Sequence, residues 1–352
     1  MHVGPRLGGG RRASAPPTRR PTVPGPPDPR DLVERARRGE QLAVARLISM
    51  VENAGPQLRE VSAALSPHTG RAHVVGLTGS PGVGKSTSTS ALVTELRTRG
   101  RRVGVLAVDP SSPFSGGALL GDRVRMGDHA DDDGVFIRSM ATRGHLGGLS
   151  WATPQALRVL DAAGCDVVLI ETVGVGQSEV EIVGLADSTV VLLAPGMGDG
   201  IQAAKAGILE IGDVFVVNKA DREGARRTVR ELRNMLHLRT PDGAGRSAGG
   251  TSIGTEPWEP PVLSTVASRS EGIGAVADAL DEHLAWAEKS GERERRRRER
   301  ARREIEGIGM EQVRARMERV RGGDALDTLT ERVLGGELDP WAAADELLEQ
   351  SG

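Results

Sequence analysis

The sequence predicts an α/β fold in which a mostly parallel β-sheet is covered by helices on both faces. Two observations support this prediction: short, near-continuous apolar runs recur along the central part of the chain, and helix-length segments separate most of them. Strands that are apolar on both sides are typical of a parallel sheet with both faces buried. The candidate strands are residues 73–78, 103–108, 135–139, 167–170, 189–194, 214–218 and 262–265.

Length and composition limit the class of protein. The chain has 352 residues, more than the roughly 250 to 300 at which single cores stop growing, so one large core with helical appendages fits. A formal net charge of -2 and 38% hydrophobic residues argue against wholesale disorder. Cys165 is the single cysteine, which excludes an internal disulfide and favours a reducing, cytoplasmic location. Because no apolar run reaches about 18 residues, we expect no membrane association.

The first 30 residues are rich in Pro, Arg and Gly and are predicted to form a disordered tail, because they lack apolar periodicity. An Arg-rich, acid-poor start is also typical of an organellar transit peptide, although the proline density disfavours its amphipathic helix. A third alternative is that Met1 is not the true start.

The rest of the chain divides into three predicted regions. Residues 31–70 carry apolar side chains at helical spacing, which predicts an arm of two or three short helices. The alternating strands and helices define a domain over residues 71–287. A charged run at 292–306 and an amphipathic segment at 326–348 predict a C-terminal helical region over residues 288–352.

The strongest motif follows the first strand. Residues 79–86 fit the pattern G-x-x-x-x-G-K-[ST] and precede a helix-forming stretch, as a phosphate-binding loop requires. In such a loop backbone N–H groups approach phosphate oxygens, Lys85 neutralises the β- and γ-phosphates, and Ser86 offers its hydroxyl to Mg²⁺. The motif predicts a P-loop NTPase. The candidate phosphate-binding residues are Gly79, Ser80, Pro81, Gly82, Val83, Gly84, Lys85, Ser86 and Thr87.

A second motif predicts which base is bound. Residues 218–221 read N-K-x-D at the end of an apolar strand. The Asp221 carboxylate is suited to accept from guanine N1 and N2, whereas adenine presents an acceptor at N1. The tetrapeptide alone is a weak signal, but downstream of a phosphate loop it favours GTP over ATP. The candidate guanine-binding residues are Asn218, Lys219, Asp221, Thr265, Val266 and Ala267.

Three acids lie at strand ends or in the loops that follow them. Asp109, Asp122 and Glu171 are placed to hold Mg²⁺ directly or through water. The alternative for each is a helix N-cap or a solvated loop acid. Gly174 would let a backbone N–H meet the γ-phosphate, which predicts a nucleotide-sensing switch over residues 173–179.

Two further Gly-rich loops, residues 143–148 and 195–200, are expected to move with this switch. We expect slow hydrolysis by the isolated protein, because no motif places an arginine finger and such a finger contributes ~10³ to 10⁵ in rate. Arg143 is a candidate finger within the chain; the alternative is a structural loop arginine.

Taken together, these motifs resemble the MeaB/ArgK family of GTPases. The likeness extends through residues 48–52 and 336–343, so it covers about residues 31–350. The motifs that carry it are residues 79–86, 109–112, 138–148, 171–179, 195–199 and 218–221.

The resemblance implies a SIMIBI-type G domain that binds GTP or GDP with Mg²⁺. Family members act as G-protein chaperones of methylmalonyl-CoA mutase and related adenosylcobalamin-dependent acyl-CoA mutases: they gate cofactor loading and protect the mutase from inactivation. The resemblance also implies a homodimer formed through residues 288–352, the alternative being that these helices pack on the G domain.

Residue roles are implied in the same way. Lys85 would bind phosphate, Asp109, Asp122 and Glu171 would serve the metal and hydrolysis, and residues 197–202 would signal to the mutase. One departure from the family pattern lies in the loop that closes on guanine. The family often has Ser-Ala where this chain has Val266 and Ala267, so we expect the Ala267 backbone N–H to make that contact.

Three other functions compete with this interpretation. A metal-insertion GTPase would need Cys and His ligands near the nucleotide, but Cys165 has no cysteine partner and the seven histidines are scattered. A kinase-like regulator of arginine or ornithine transport would need a kinase catalytic loop, which the sequence does not resemble. The arginine run at 295–303 is interrupted by glutamates, which favours a solvated helix with i,i+4 pairs over a nucleic-acid patch.

Overall fold

Over the residues that the structure describes, the central sheet has seven parallel strands. In the computed structural model the strand order is β3-β2-β4-β1-β5-β6-β7, and each predicted strand is confirmed with ends that differ by at most two residues. The strands are β1 His73–Thr78, β2 Val103–Asp109, β3 Val135–Ala141, β4 Val167–Thr172, β5 Ser188–Leu193, β6 Val214–Val217 and β7 Val262–Ser264. The structure describes residues 28–53, 57–109, 127–129, 131–141, 152–172, 184–196, 208–239, 256–321 and 324–350.

Helices surround this sheet, and further helices precede its first strand and follow its last strand in the chain. The predicted N-terminal arm is three short helices, and none of the described helices is both long and apolar enough to cross a membrane. The helices are α1 Pro29–Arg37, α2 Gln41–Glu52, α3 Leu58–Leu65, α4 Lys85–Thr98, α5 Ala152–Ala162, α6 Ile208–Ile211, α7 Ala225–Arg239, α8 Ile273–Ser290, α9 Glu292–Arg321, α10 Asp324–Leu334 and α11 Pro340–Gln350.

Strand β4 shows why the strands are apolar along their whole length. Its alternate residues Val168 and Ile170 pack with the N-terminal arm and α5. Val167 and Leu169, which point to the other face, pack with α4 and α8. Successive side chains of a strand point to opposite faces, so a sheet covered on both sides needs apolar residues at every position.

The parallel arrangement gives the sheet two chemically different ends. All strands finish at one end, called here the carboxyl end, and begin at the other, the amino end. Strand β1 pairs with β4 on one side and β5 on the other, so the chain changes direction across the sheet at β1. Ligands of open α/β sheets bind at the carboxyl end of such a switch point.

Helix α9 lies across the amino end and is anchored there by arginines. Asp187, directly before β5, is 1% exposed and accepts hydrogen bonds from Arg297 and Arg300 at 3.2 and 3.3 Å. Asp213, directly before β6, accepts from both terminal nitrogens of Arg296, at 2.7 and 2.8 Å. The prediction of a solvated arginine run is therefore wrong for these positions, because their partners come from distant strands.

Other arginines of the same helix do follow that prediction. Arg298 and Arg303 pair with Glu294 and Glu299 one helical turn away, each at 3.1 Å. These side chains are largely exposed. One face of α9 thus docks on the sheet while another is solvated.

A buried chain of polar side chains joins three elements at the amino end. Ser188 Oγ lies 2.7 Å from both His73 Nε2 and His283 Nδ1, and His283 Nε2 lies 3.2 Å from Asp213 Oδ1. Burial lowers the pKa of His73 to about 4 despite the nearby Asp187 carboxylate. Burial works to raise the pKa of Asp213, but its hydrogen bonds with Arg296 and His283 hold that pKa below the ordinary value.

Candidate nucleotide-binding site

The predicted phosphate loop joins β1 to α4 at the carboxyl end of the sheet. Gly84 caps α4 with φ +95°, and a Cβ there would lie 2.5 Å from Asn218 Nδ2. A Cβ on Gly79 would lie 2.2 Å from the Leu192 carbonyl oxygen in β5. Both glycines are therefore needed for the loop to fit between its neighbours, which confirms the strand–loop–helix context on which the motif depends.

Lys85 turns back toward the loop that precedes it. It is 8% exposed, and its Nζ donates to the carbonyl oxygens of Gly79 at 2.5 Å and Ser80 at 3.3 Å. The ammonium group is thereby held beside the backbone that forms the loop. The N-terminus of a helix adds partial positive charge at the same place, so this corner of the sheet favours an anion.

Ser86 and Glu171 are brought together by the pairing of β1 with β4. Glu171 lies opposite Leu77 in that pairing and is 1% exposed. The Ser86 hydroxyl donates to Glu171 Oε1 at 2.6 Å. A hydroxyl and a carboxylate are hard oxygen donors, so these two side chains fit the ligand preference of Mg²⁺.

The structure describes the other predicted metal-binding and switch residues only in part. Asp109 ends β2, and its backbone lies at the same end of the sheet as Glu171. The structure describes only the backbone of Asp109. Asp122, Gly174 and residues 143–148, 173–179 and 197–202 lie outside the described residues.

Asn218 connects the phosphate loop to the predicted guanine loop. It is 3% exposed, and its Nδ2 donates to the Val83 carbonyl oxygen at 2.9 Å. Its Oδ1 accepts from Thr265 Oγ1 at 3.2 Å and from the Ala267 N–H at 3.1 Å. One side chain therefore fixes the spacing of three loops.

The Ala267 N–H has a different partner from the one the sequence indicated. We expected it to contact guanine, whereas it donates to Asn218. Ala267 and Thr265 thus hold the N-K-x-D loop in place. Val266 is also held, since its N–H donates to the Glu271 carbonyl oxygen at 3.0 Å.

Lys219 and Asp221 project from the same loop in a more open setting. Lys219 has φ +57°, which is uncommon for a residue with a side chain, and its Nζ donates to the Gly82 carbonyl oxygen at 2.5 Å. The Asp221 side chain is 41% exposed, with Oδ2 3.6 Å from Nη1 of Arg269. No motif singles out Arg269; its only sequence signal is its place two residues after Ala267.

A phosphate loop that opens a helix, a hydroxyl–carboxylate pair beside it and an N-K-x-D loop share one end of a parallel sheet. This combination defines a P-loop GTPase. A family model described as methylmalonyl Co-A mutase-associated GTPase MeaB matches residues 44–321. The chain therefore belongs to the MeaB family.

Individual relatives agree with this assignment. A chain described as a GTPase in Pyrococcus abyssi is 47% identical over 91% of this chain and 96% of its own length. The mouse protein described as methylmalonic aciduria type A homolog, mitochondrial, is 34% identical over 89% of this chain and 77% of its own. A solved structure described as LAO/AO transport system kinase has 25% identity and a TM-score of 0.62, covering 91% of this chain and 96% of its own. The protein is accordingly an enzyme that hydrolyses GTP.

Proposed function

We propose that this GTPase serves an adenosylcobalamin-dependent acyl-CoA mutase of the methylmalonyl-CoA mutase type. GTP binding and hydrolysis would gate the loading of the cofactor onto the mutase and protect the mutase from inactivation. The observation that carries the proposal is the family match over residues 44–321, whose description names association with that mutase.

The geometry supports a division of labour at the nucleotide. Lys85 binds the β- and γ-phosphates from the position it takes beside Gly79, and the N-terminus of α4 adds backbone N–H donors. Asp221 reads guanine from the exposed end of the N-K-x-D loop. Asn218 remains a proposed guanine-binding residue, and it also keeps the phosphate loop and guanine loop at a fixed separation through Val83 and Thr265.

Ser86 and Glu171 are the described residues that would hold Mg²⁺, with Asp109 and Asp122 proposed to complete the set. Mg²⁺, when bound, would neutralise the negative charge that develops during phosphoryl transfer. Glu171 also orients the Ser86 hydroxyl through the 2.6 Å hydrogen bond. Since Glu171 is buried in β4, its position is set by the sheet rather than by a loop.

A homodimer is part of the proposal, and the middle of α9 supports it. Apolar side chains remain exposed there: Ile305 by 71%, Ile308 by 41%, Met310 by 65% and Val313 by 51%. Such residues on a helix are suited to pack against a second copy. Sedimentation should give twice the chain mass for the wild type and the single mass for Ile305→Arg; a wild-type monomer would contradict this part.

The partner is tested by GTP turnover with and without candidate mutases. We expect stimulation by one adenosylcobalamin-dependent acyl-CoA mutase, loss of that stimulation in Lys85→Ala, and retention in Lys289→Ala, whose lysine lies exposed on α8. Turnover that no such mutase changes would leave the GTPase in place and refute the partner assignment.

A further inference from the structure

The Asp221 carboxylate must have a defined orientation if it is to read guanine. Guanine presents two adjacent donors, N1–H and N2–H, and a carboxylate accepts from both only when its plane is aligned with the base. The backbone around Asp221 is already fixed, since the Ala220 N–H donates to the Thr265 carbonyl oxygen and the Arg222 N–H to that of Lys219, both at 3.0 Å. What remains to be set is the side-chain torsion.

Among the residues that the structure describes, the one ion pair of Asp221 is with Arg269. Nη1 of Arg269 lies 3.6 Å from Asp221 Oδ2. The same guanidinium is gripped from its other side by Glu271, with Nε to Oε1 at 2.7 Å and Nη2 to Oε2 at 3.3 Å. The hydrogen bond from Arg269 lowers the pKa of Glu271. The Glu271 carboxylate and the Arg269 guanidinium therefore both stay charged.

The turn that carries Arg269 is held in one conformation. Val266 and Glu271 form an antiparallel bridge across it. Ser270 has φ +56°, and a Cβ on Gly272 would lie 2.4 Å from the Ser264 carbonyl oxygen, so the chain passes β7 too closely for another residue. Arg269 is therefore presented from a constrained turn and clamped by an acid two residues away.

We propose that Arg269 is a positioning residue for base specificity: it fixes the Asp221 carboxylate in the orientation that accepts both guanine donors. This inference rests on the proposed role of Asp221 in the guanine site. Arg269 and the base do not compete for the same electron pair, because each carboxylate oxygen accepts from two directions.

A comparison of guanine with hypoxanthine distinguishes a misaligned Asp221 carboxylate from a general loss of structure. Hypoxanthine keeps N1–H but lacks the N2 amino group, so it makes one of the two hydrogen bonds whether or not the carboxylate is aligned for both. Release of Asp221 should therefore weaken guanine binding more than hypoxanthine binding. Damage to the loop would weaken the two equally.

The experiment measures Kd for GDP and for inosine diphosphate by competition against a fluorescent guanine nucleotide. Arg269→Gln should raise the Kd for GDP about threefold, the scale of an exposed ion pair, and leave that for inosine diphosphate unchanged. Glu271→Gln should act in the same direction with a smaller change. Arg227→Gln is the matched control, since it breaks a comparable exposed pair on α7, and should change neither constant.

An equal rise for both nucleotides in Arg269→Gln, or no rise for GDP, would overturn the inference. Asp221→Asn separates that failure from failure of the guanine site. A carboxamide accepts from N1–H and donates to the C2 oxygen of xanthine, so this variant should lose GDP and gain xanthosine diphosphate. If Asp221→Asn keeps its affinity for GDP, the guanine assignment itself is refuted.

Discussion

The two ends of the parallel sheet use charged side chains in opposite ways. At the amino end, Asp187 and Asp213 are buried and paired with arginines of α9. At the carboxyl end, Lys219 lies against the Gly82 carbonyl oxygen and Asp221 is 41% exposed. The comparison teaches that the acids at the amino end are neutralised by arginines of α9, whereas the charges at the carboxyl end lie beside the glycine-rich loop where we propose that the nucleotide binds.

Removing a carboxylate from the amino end should have the largest effect. Asp213→Ala removes the buried carboxylate that accepts from both terminal nitrogens of Arg296, and breaking a buried pair costs about 3 to 5 kcal/mol. We expect that loss in the free energy of unfolding, measured by urea denaturation. Asp278→Ala, which removes a 63% exposed partner of Arg99, should cost less than about 1 kcal/mol. Equal losses in the two variants would mean that the buried ion pair contributes no more to stability than the exposed one.

Removing a charge from the carboxyl end should affect turnover instead. Lys85→Ala should lower GTP hydrolysis by about 10² to 10³, the usual cost of one preorganised electrostatic group. Its midpoint of thermal unfolding without nucleotide should stay near that of wild type, as should the turnover of Lys289→Ala. A Lys85→Ala protein that hydrolyses GTP at the wild-type rate would contradict the assignment of Lys85 to the phosphate-binding site.

Acid should weaken the amino end through His73. Its pKa is lowered to about 4, while an unfolded histidine titrates near 6.5. The unfolded state therefore binds the proton first, so the stabilisation is complete above pH 6.5 and is lost as the pH falls toward 4. The shift corresponds to about 3 kcal/mol. Unfolding free energies measured from pH 7 to 4 should fall in wild type and fall less in His73→Gln; parallel curves would contradict this role.

Most of the fold was predictable because its signals are local. Each strand is an apolar run buried on both faces, as Val167 to Ile170 in β4 show. The phosphate loop was predictable for the same reason, since its glycines and Lys85 are contiguous. No such local signal exists where a helix meets distant strands.

The unpredicted features join residues far apart in the chain. Arg296 and Asp213 are separated by 83 positions, and Ser188 and His283 by 95. The glutamates within the arginine run are nearer in sequence to these arginines than Asp187 and Asp213 are. The sequence therefore favoured the glutamates as partners. The partner of the Ala267 N–H was missed because Asn218 is 49 positions away and its oxygen was assigned no role in advance.

A smaller effect, on nucleotide affinity alone, sharpens the comparison within the carboxyl end. Thr265→Val keeps the shape of the side chain but removes a hydrogen bond to Asn218 Oδ1. One hydrogen bond is worth about 1 kcal/mol, so the Kd for GDP should rise about fivefold. Thr330→Val, which removes a hydroxyl bonded within α10, is the remote control. An unchanged Kd in Thr265→Val would mean that Asn218 does not depend on this contact.

The most direct test of the account is the thermal shift produced by GDP and Mg²⁺ in wild type, Lys85→Ala and Asp213→Ala. Ligand at 100 times its Kd adds about 2.7 kcal/mol to the stability of the folded state. The account predicts a normal starting midpoint without a shift in Lys85→Ala, and a lowered starting midpoint with a full shift in Asp213→Ala. A full shift in Lys85→Ala, or none in folded Asp213→Ala, would contradict the proposal that the carboxyl end binds the nucleotide and the amino end stabilises the fold.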